Sequence, residues 1–275
     1  MDNVFAAVTF KTPSIELLSL WLEPYGVLSI EEAENYCVGY WNWSDWQNVR
    51  SDIESQTEVE ELFSIESVEE IQQQNWNQKW EENFQPIEVD SFCRIRAPFH
   101  PHKNGFEYEM LIEPKMSFGT GHHATTWQMI KMMSEIDFHN QSVLDYGCGT
   151  GILAILAARM GASLVKGFDY DEWCYHNALD NAQLNEVDSV AWSVDTLDTF
   201  DKNQLYSIIL ANINRNVLLE SVDGLASIAQ KNALLLVSGF YVEDLPVVEE
   251  AYQSAFTLSK YTERENWCCA LLTNK

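Results

Sequence analysis

From residue 87 onward, short apolar runs typical of strands alternate along the chain with longer runs that have the helical period. The strand-like runs are YEMLIEP, SVLDYG, SLVKGFD, VAWSV, YSIILANI, ALLLVSGF, FTLSKYTER and NWCCALLTN, and the helix-like runs are TTWQMIKMMSEI, GILAILAARMG, DEWCYHNALDNAQLN, NVLLESVDGLASIAQ and EDLPVVEEAYQSA. This alternation predicts a doubly wound α/β domain, in which helices cover both faces of a mostly parallel sheet. Only a short turn separates the last two strand-like runs, so the final strand should be antiparallel.

The first 71 residues have a different pattern, which predicts a separate small domain. VFAAVTF is strand-like, SIELLSLWLEPYG is an amphipathic helix that ends at Pro-Tyr-Gly, and VLSIEEAEN and YCVGYWNW are two further short strands. An acidic stretch follows at residues 51–71. A strand, a helix and a strand pair predict a small α+β domain of ferredoxin-like type, with its helices on one face of the sheet.

Between these two regions, a polar segment predicts a linker helix. The sequence QQQNWNQKWEENF at 72–84 favours a helix and places Trp76, Trp80 and Phe84 at helical spacing. Pro86 follows and ends the helical pattern. The predicted organisation is therefore an N-terminal domain at 1–71, a linker helix at 72–85 and a main domain at 86–275.

Charge excludes one large class of partners. The chain of 275 residues has a formal charge of −26, and its first 75 residues contain 15 acidic but only 2 basic residues. Binding of DNA or RNA requires a basic surface, so direct nucleic-acid binding is not expected. A basic protein partner would complement this charge, although acidic side chains that simply keep the protein soluble remain the alternative.

Cysteine spacing and hydropathy indicate a cytoplasmic protein. The six cysteines show no C-x-x-C pair and no Cys/His cluster of the zinc type, which predicts free thiols in a reducing compartment. No apolar run reaches the roughly 18 residues that a membrane helix needs. The N-terminus lacks the basic segment and apolar run of a secretory signal, so neither membrane insertion nor secretion is expected.

A glycine turn between a strand and a helix predicts a ligand site. In VLDYGCGTGILAI, Gly147, Gly149 and Gly151 allow a tight bend and a close backbone approach to a ligand. The helix that follows directs backbone N–H groups and a positive dipole end toward the same place. A dinucleotide fingerprint would have its third glycine at position 152, where this chain has Ile152.

The end of the next strand carries a candidate ribose ligand, Asp169. It lies 22 residues after Gly147, where a carboxylate can accept hydrogen bonds from both ribose hydroxyls. Nicotinamide dinucleotides and S-adenosylmethionine share this requirement, but the glycine spacing and the antiparallel final strand favour S-adenosylmethionine. Helix capping is the alternative for Asp169, although Asp171 suits that role better.

The segment SFGTGHHATT at 117–126 predicts a lid over the bound ligand. Its two glycines provide hinge freedom, and Phe118 can cover an apolar ligand face. Thr125 and Thr126 fall in the first helical turn, where a hydroxyl or an N–H can hold a carboxylate. His122 and His123 are adjacent and have no carboxylate at ligand spacing, so no metal site is expected. A structural role for these histidines is favoured over a catalytic one.

Together, these motifs resemble a known family. SFGTGHHATT, VLDYGCGTGILAI, GFDYD, NAQLN, ILANI and RENWCCALL have the order and spacing found in the bacterial ribosomal protein L11 (L-eleven) methyltransferases, the PrmA family. The likeness covers about residues 72–275, while the first 71 residues match in pattern and size. The loop is the most specific motif, and Ala124 departs from it because many members have proline there.

The resemblance implies a seven-stranded Rossmann-like methyltransferase sheet and S-adenosylmethionine as cofactor. It implies methylation of lysine ε-amines and of the N-terminal amine of a basic large-subunit ribosomal protein, L11, which the N-terminal domain would hold. By motif position, Thr126, Gly147, Asp169 and Asn212 would contact the cofactor. Asn212 is also the candidate catalytic residue. It lies in LANIN, at the end of a strand, where its side-chain oxygen could orient the amine or the cofactor.

Three alternatives remain open from the sequence alone. The chain could methylate another protein or a small molecule, since the catalytic motifs do not name the acceptor. It could be a non-catalytic S-adenosylmethionine-binding protein associated with the ribosome. It could also be an NAD-dependent dehydrogenase, which Ile152 disfavours.

Overall fold

The computed structural model divides the chain into two compact units, Met1–Asn83 and Phe84–Lys275. The residues that it describes are 4–12, 18, 21–33, 36–60, 63–72, 84–115 and 117–275. Among the helices in these ranges, none is both long and apolar enough to cross a membrane.

The N-terminal unit contains a four-stranded antiparallel sheet. Its elements are β1 (Val4–Lys11), β2 (Ser29–Ala33), β3 (Tyr36–Asn42), α1 (Trp43–Glu60) and β4 (Ser64–Gln72), and the strand order is β2-β3-β1-β4. Helical residues 18, 21 and 22 and a 3-10 turn at Glu23–Tyr25 precede β2. This order confirms the ferredoxin-like prediction. The acidic stretch, to which the sequence pattern assigned no element, forms most of α1 and β4.

The predicted domain boundary at residue 71 falls within β4. Gln72 is the last residue of this strand and pairs with Val4, so the strand continues one residue into the segment predicted as linker. Residues 73–83, including Trp76 and Trp80, lie outside the described residues, and 84–86 are not helical. A polar glutamine gives no sign in sequence that it still belongs to a strand, because an edge position tolerates polar side chains.

The second unit has a seven-stranded sheet that confirms the predicted topology. Its strands are β8 (Ser142–Tyr146), β9 (Leu164–Asp169), β10 (Val190–Val194), β11 (Tyr206–Asn212), β12 (Ala229–Tyr241), β13 (Phe256–Arg264) and β14 (Trp267–Asn274). Their order is β10-β9-β8-β11-β12-β14-β13, and β14 alone runs antiparallel to the other six strands. Strand order reverses between β8 and β11, which is the position where doubly wound sheets bind ligands.

Helices cover both faces of this sheet, and each face has its own apolar core. The helices are α2 (Ala124–Met133), α3 (Ile152–Arg159), α4 (Glu172–Leu184), α5 (Arg215–Glu220), α6 (Val222–Ile228) and α7 (Leu245–Tyr252), with a 3-10 turn at Val242–Asp244. The single helix predicted at 216–230 is therefore two helices. They meet at Ser221, whose hydroxyl donates to the Val217 carbonyl at 2.6 Å.

A separate three-stranded sheet precedes α2. It comprises β5 (Ile87–Val89), β6 (Cys93–Arg96) and β7 (Tyr108–Leu111) in the order β5-β6-β7. Only β7 was predicted, within the run YEMLIEP, and it lies in this sheet instead of the large one. Strands of three and four residues are too short to show a clear period.

Asn181 in α4 and Asn185, the residue that caps its C-terminus, fix the chain that leaves β7. Asn185 accepts from the Leu111 N–H at 2.9 Å and donates to the Leu111 carbonyl at 2.6 Å, as a neighbouring strand would. Asn181 accepts from the Glu113 N–H and donates to the Thr150 carbonyl, both at 2.9 Å. The NAQLN motif thus joins the small sheet to the glycine turn.

We therefore expect Asn181→Ala to lower the free energy of unfolding by about 2–4 kcal/mol. Asn181 is fully buried, and its loss leaves the buried Thr150 carbonyl and the partly buried Glu113 N–H without this partner, at roughly 1–3 kcal/mol each. Urea unfolding monitored by circular dichroism would measure the change. Asn203→Ala, at an exposed loop position, is the matched control and should stay within about 0.5 kcal/mol of the parent. A similarly small change for Asn181→Ala would contradict this role.

Candidate active site

A cavity of about 470 Å³ opens at the carboxyl ends of the central parallel strands. This volume lies in the range of small-molecule sites. Its lining residues are Phe118, Tyr146, Gly147, Gly149, Asp169, Tyr170, Asp171, Cys174, Asp195, Thr196, Leu197, Asp198, Asn212, Ile213, Asn214, Val217, Glu220 and Ser221. Five of the residues proposed from sequence are among them: Phe118, Gly147, Gly149, Asp169 and Asn212.

The glycine turn leaves no room for side chains. At Gly149, which has φ of 53°, a Cβ would lie 2.4 Å from the Phe118 carbonyl oxygen. At Gly151, a Cβ would lie 2.7 Å from the Trp192 ring and 2.9 Å from the Ala178 Cβ. Gly151 precedes α3 as its N-cap and does not line the cavity. Glycine is therefore needed at position 151 because the turn packs closely against β10 and α4.

Asp169 closes the turn and also faces the cavity. It is 7% exposed; its Oδ2 accepts from the Gly149 N–H at 3.0 Å and its Oδ1 accepts from the Asp171 N–H at 3.1 Å. The Cys174 thiol also hydrogen-bonds to this carboxylate, which retains acceptor capacity for a ligand hydroxyl. Asp171 caps α4 by accepting from the Trp173 N–H at 2.9 Å, which is the capping role expected for it.

A second acid, Asp145, lies buried beneath the same turn. Its Oδ2 accepts from the Ala154 N–H at 3.1 Å, and its Oδ1 accepts no hydrogen bond from any described residue. Burial raises the pKa of the Asp145 carboxyl to about 7, and the charge of Asp169 acts in the same direction. The sequence interpretation did not single out Asp145, although it lies in the quoted VLDYG motif.

Asn212 lines the cavity and has a side-chain acceptor without a partner among the described residues. Its Nδ2 donates to the Thr126 Oγ1 at 3.3 Å, while its Oδ1 is buried and accepts no hydrogen bond within the described part of the chain. Thr126 is fully buried and does not line the cavity. Its hydroxyl therefore holds the Asn212 amide in one orientation.

Loop 117–123 forms one wall of the cavity through Phe118, which is 52% exposed. The Phe118 carbonyl accepts from the Thr150 N–H at 2.9 Å, and the Gly119 carbonyl accepts from the Thr150 hydroxyl at 2.8 Å. His123 is the N-cap of α2, because its Nδ1 accepts from the Thr125 N–H. Thr125 is fully buried and does not line the cavity.

Metal coordination receives no support from the described residues, since no three His, Cys, Asp or Glu side chains among them are grouped as ligands. His123 contacts Phe118 and Trp267 through its ring, at centroid distances of 5.1 and 4.6 Å. Burial lowers the pKa of His123, which favours the neutral ring that a capping acceptor requires.

Several cavity residues were missed in the sequence interpretation. Asp195, Thr196 and Leu197 follow β10 directly, and the rule that placed Asp169 at the end of a parallel strand would have found them. Tyr146 was inside a quoted motif, and its hydroxyl lies 3.2 Å from the Ser221 Oγ. Glu220 and Ser221 gave no signal, because only the packing of α5 brings them to the cavity.

Comparison with known proteins identifies the family. The family model described as ribosomal protein L11 methyltransferase (PrmA) matches residues 19–275. A ribosomal protein L11 methyltransferase from Porphyromonas gingivalis is 39% identical over 97% of this chain and 92% of its own length. The corresponding protein from Chlorobaculum tepidum is 32% identical over 100% of this chain and 97% of its own length.

A solved structure agrees with these sequence matches. The crystal structure of ribosomal protein L11 methylase from Lactobacillus delbrueckii subsp. bulgaricus superimposes with a TM-score of 0.64 and 25% identity. The match covers 70% of this chain and 100% of that one. With this sheet order, this glycine turn and a family match over most of its length, the chain belongs to the ribosomal protein L11 methyltransferase family.

Proposed function

We propose that this protein transfers methyl groups from S-adenosylmethionine to lysine ε-amines and to the N-terminal amine of ribosomal protein L11. The observation that carries this proposal is the Asn212 Oδ1, which has no partner among the described residues and belongs to a residue in the wall of the cavity that the glycine turn and Asp169 also line. An oriented carbonyl oxygen at this place suits an N–H donor on a substrate amine. Membership of the family supports L11 as the acceptor.

The cavity residues fit S-adenosylmethionine. Asp169 has free lone pairs for ribose hydroxyls, and Leu197, Ile213 and Val217 provide apolar surface for a purine ring. The carboxylates of Asp169, Asp171 and Asp195 in the cavity wall favour a cationic ligand above the turn. When bound, the cofactor would supply an electrophilic methyl group on a positively charged sulfur.

This chain's own residues would orient the amine and exclude water. Asn212 Oδ1 accepts one amine N–H and so directs the nitrogen lone pair, and Thr126 keeps the amide from rotating. Phe118 covers one side of the cavity. Alignment of this kind is the main contribution an enzyme makes to an in-line displacement. Lysine has a pKa of about 10.4, so its ammonium must lose a proton, for which water is the acceptor we propose.

The N-terminal unit is proposed as the substrate clamp. Its charge would attract a basic ribosomal protein, and the proposed cofactor residues all lie after position 116. The segment around 72–85 would then act as the linker between clamp and catalytic unit. A cytoplasmic location, where ribosomal proteins are made, is consistent with these roles.

Methyl transfer can be tested directly. We expect incubation with labelled S-adenosylmethionine and total ribosomal proteins to label L11, with lysine and the N-terminal residue identified by peptide mass spectrometry. S-adenosylhomocysteine should bind in calorimetry and NAD should not. Label on a different protein would replace L11 as the substrate. Cofactor binding without any transfer would favour the non-catalytic alternative, and NAD binding would contradict the proposed chemistry.

Asn212→Ala should lower kcat by about 10²-fold, the usual scale for loss of one preorganised polar group. The affinity for S-adenosylhomocysteine should change much less, because Asp169 and the glycine turn remain. Steady-state kinetics and calorimetry would separate the two effects. Asn216→Ala, on the exposed part of α5, serves as the control. An unchanged kcat in the Asn212 variant would remove this residue from the mechanism.

A protein that begins at residue 73, after β4, should still bind S-adenosylhomocysteine but methylate L11 orders of magnitude more slowly. In the full-length protein, raising salt from about 50 to 300 mM should weaken L11 capture more than cofactor binding, because salt screens exposed charges. Competition binding with labelled L11 would measure capture. Full-length rates in the shortened protein would refute the clamp.

A further inference from the structure

Two histidines hold the backbone at the beginning of the catalytic unit. The Phe84 carbonyl lies 2.6 Å from His100 Nε2, and the Gln85 carbonyl lies 3.0 Å from His122 Nε2. The Phe84 ring also packs against the His122 ring, with centroids 4.4 Å apart. Consecutive carbonyls are thus each bound by an imidazole, immediately after residues 73–83, which connect the two units in sequence.

Hydrogen-bond chemistry fixes the role of each ring nitrogen. A carbonyl oxygen can only accept, so Nε2 must carry the proton in both rings. His100 Nδ1 accepts from the Ala97 N–H at 3.1 Å, which uses its second nitrogen. His122 Nδ1 lies 3.2 Å from the Thr120 Oγ1, inside loop 117–123. His122 therefore joins Gln85 to this loop.

The other side of loop 117–123 lies against the glycine turn. Besides the two hydrogen bonds to Thr150, the fit is so close that Gly149 has no room for a Cβ beside the Phe118 carbonyl. On the outer side, a Cβ at Gly121 would lie 2.5 Å from Ile95 Cδ1 in β6. Loop 117–123 is thus enclosed between the small sheet and the glycine turn. The hydrogen bond of His122 connects this loop to the Gln85 carbonyl.

We propose that His122 is a positioning residue for the cofactor site, which holds loop 117–123 against the glycine turn by binding the Gln85 carbonyl and packing against the Phe84 ring. The loop has positive φ at Gly119 and Gly121, so without this bond it would sample more conformations. Fixing it beforehand lowers the conformational cost of ligand binding. This proposal rests on the proposed function only in taking S-adenosylmethionine as the ligand.

The position of His122 separates this role from direct ligand contact. Neither His122 nor Phe84 lines the cavity, whereas Phe118, four residues before His122, does. His122 is exposed, so one hydrogen bond and one ring contact there are worth a modest amount. We expect an effect of about three- to tenfold on cofactor affinity. The conformation of the backbone at residues 84–85 would then affect the affinity of the site for the cofactor.

Three full-length variants test the bond and the ring contact separately. His122→Gln keeps an N–H donor near the Nε2 position, His122→Phe keeps a ring against Phe84 without a donor, and His122→Ala removes both. Calorimetry with S-adenosylhomocysteine should give about three- to tenfold weaker binding for Ala and a smaller loss for Phe and for Gln, because each of these two keeps one of the two contacts. The kcat at saturating cofactor should change less than the KM for the cofactor.

A double-mutant cycle tests the coupling to the start of the unit. Phe84→Ala should also weaken binding, and the double variant should be no weaker than the His122→Ala variant, because both changes remove one connection. His102→Ala and Phe106→Ala are matched controls, since neither residue lines the cavity or has a described contact with the loop. Without ligand, hydrogen exchange should be faster at the Thr150 amide in His122→Ala than in either control.

The outcomes distinguish this inference from the proposed function. If the parent protein does not bind S-adenosylhomocysteine, the proposed function fails. If the parent binds S-adenosylhomocysteine, the three His122 variants bind it as tightly as the parent, and hydrogen exchange at the Thr150 amide is unchanged, then the positioning role is wrong. Additive losses in the double variant would likewise overturn the coupling, because independent sites add.

Discussion

The contact between loop 117–123 and the glycine turn is the constraint on which the site depends. Two hydrogen bonds join Phe118 and Gly119 to Thr150, and the backbones are too close for a Cβ at Gly149. This contact places Phe118 at the cavity and sets the start of α2. From α2, Thr126 reaches Asn212 at the end of β11. A change in the loop would therefore be transmitted to the proposed catalytic amide.

Electrostatics discriminate between ligand classes better than the glycine spacing does. The cavity wall carries five carboxylates, at Asp169, Asp171, Asp195, Asp198 and Glu220, with Asp145 buried below. A pyrophosphate would meet this negative charge, whereas a sulfonium and an ammonium group would be attracted to it. The charge distribution therefore supports S-adenosylmethionine over a dinucleotide.

Burial of Asp145 beneath the glycine turn makes the stability of the fold depend on pH. Because burial raises the pKa of Asp145 from 3.8 to about 7, its carboxyl is mainly neutral in the folded protein below about pH 7. Its stabilising contribution is present below pH 3.8 and is lost as pH rises toward 7. A cation above the turn would lower this pKa again, so ligand binding and ionisation of Asp145 would favour each other.

Local signals and distant contacts differed in how far they could be predicted. The parallel strands, the antiparallel β14 and the position of Asp169 followed from runs of five or more residues and from their order. The strands β5 and β6 are too short for such a signal. The bond between His122 and Gln85 spans 37 positions, and sequence spacing contains nothing that would indicate it. Thr126, for which the helix start predicted ligand contact, is buried and accepts a hydrogen bond from Asn212, and its contact with a ligand stays a prediction.

The same negative charge that would attract a lysine opposes its deprotonation. Carboxylates near an ammonium raise its pKa, so capture by the N-terminal unit and by the cavity rim favours the unreactive form. Reaction requires a neutral amine, which a positive neighbour and removal from water both favour. In the proposed reaction, the cationic cofactor offsets the carboxylates before the amine reaches Asn212. An uncharged asparagine is suited to that position, because a carboxylate there would hold the amine in its protonated state.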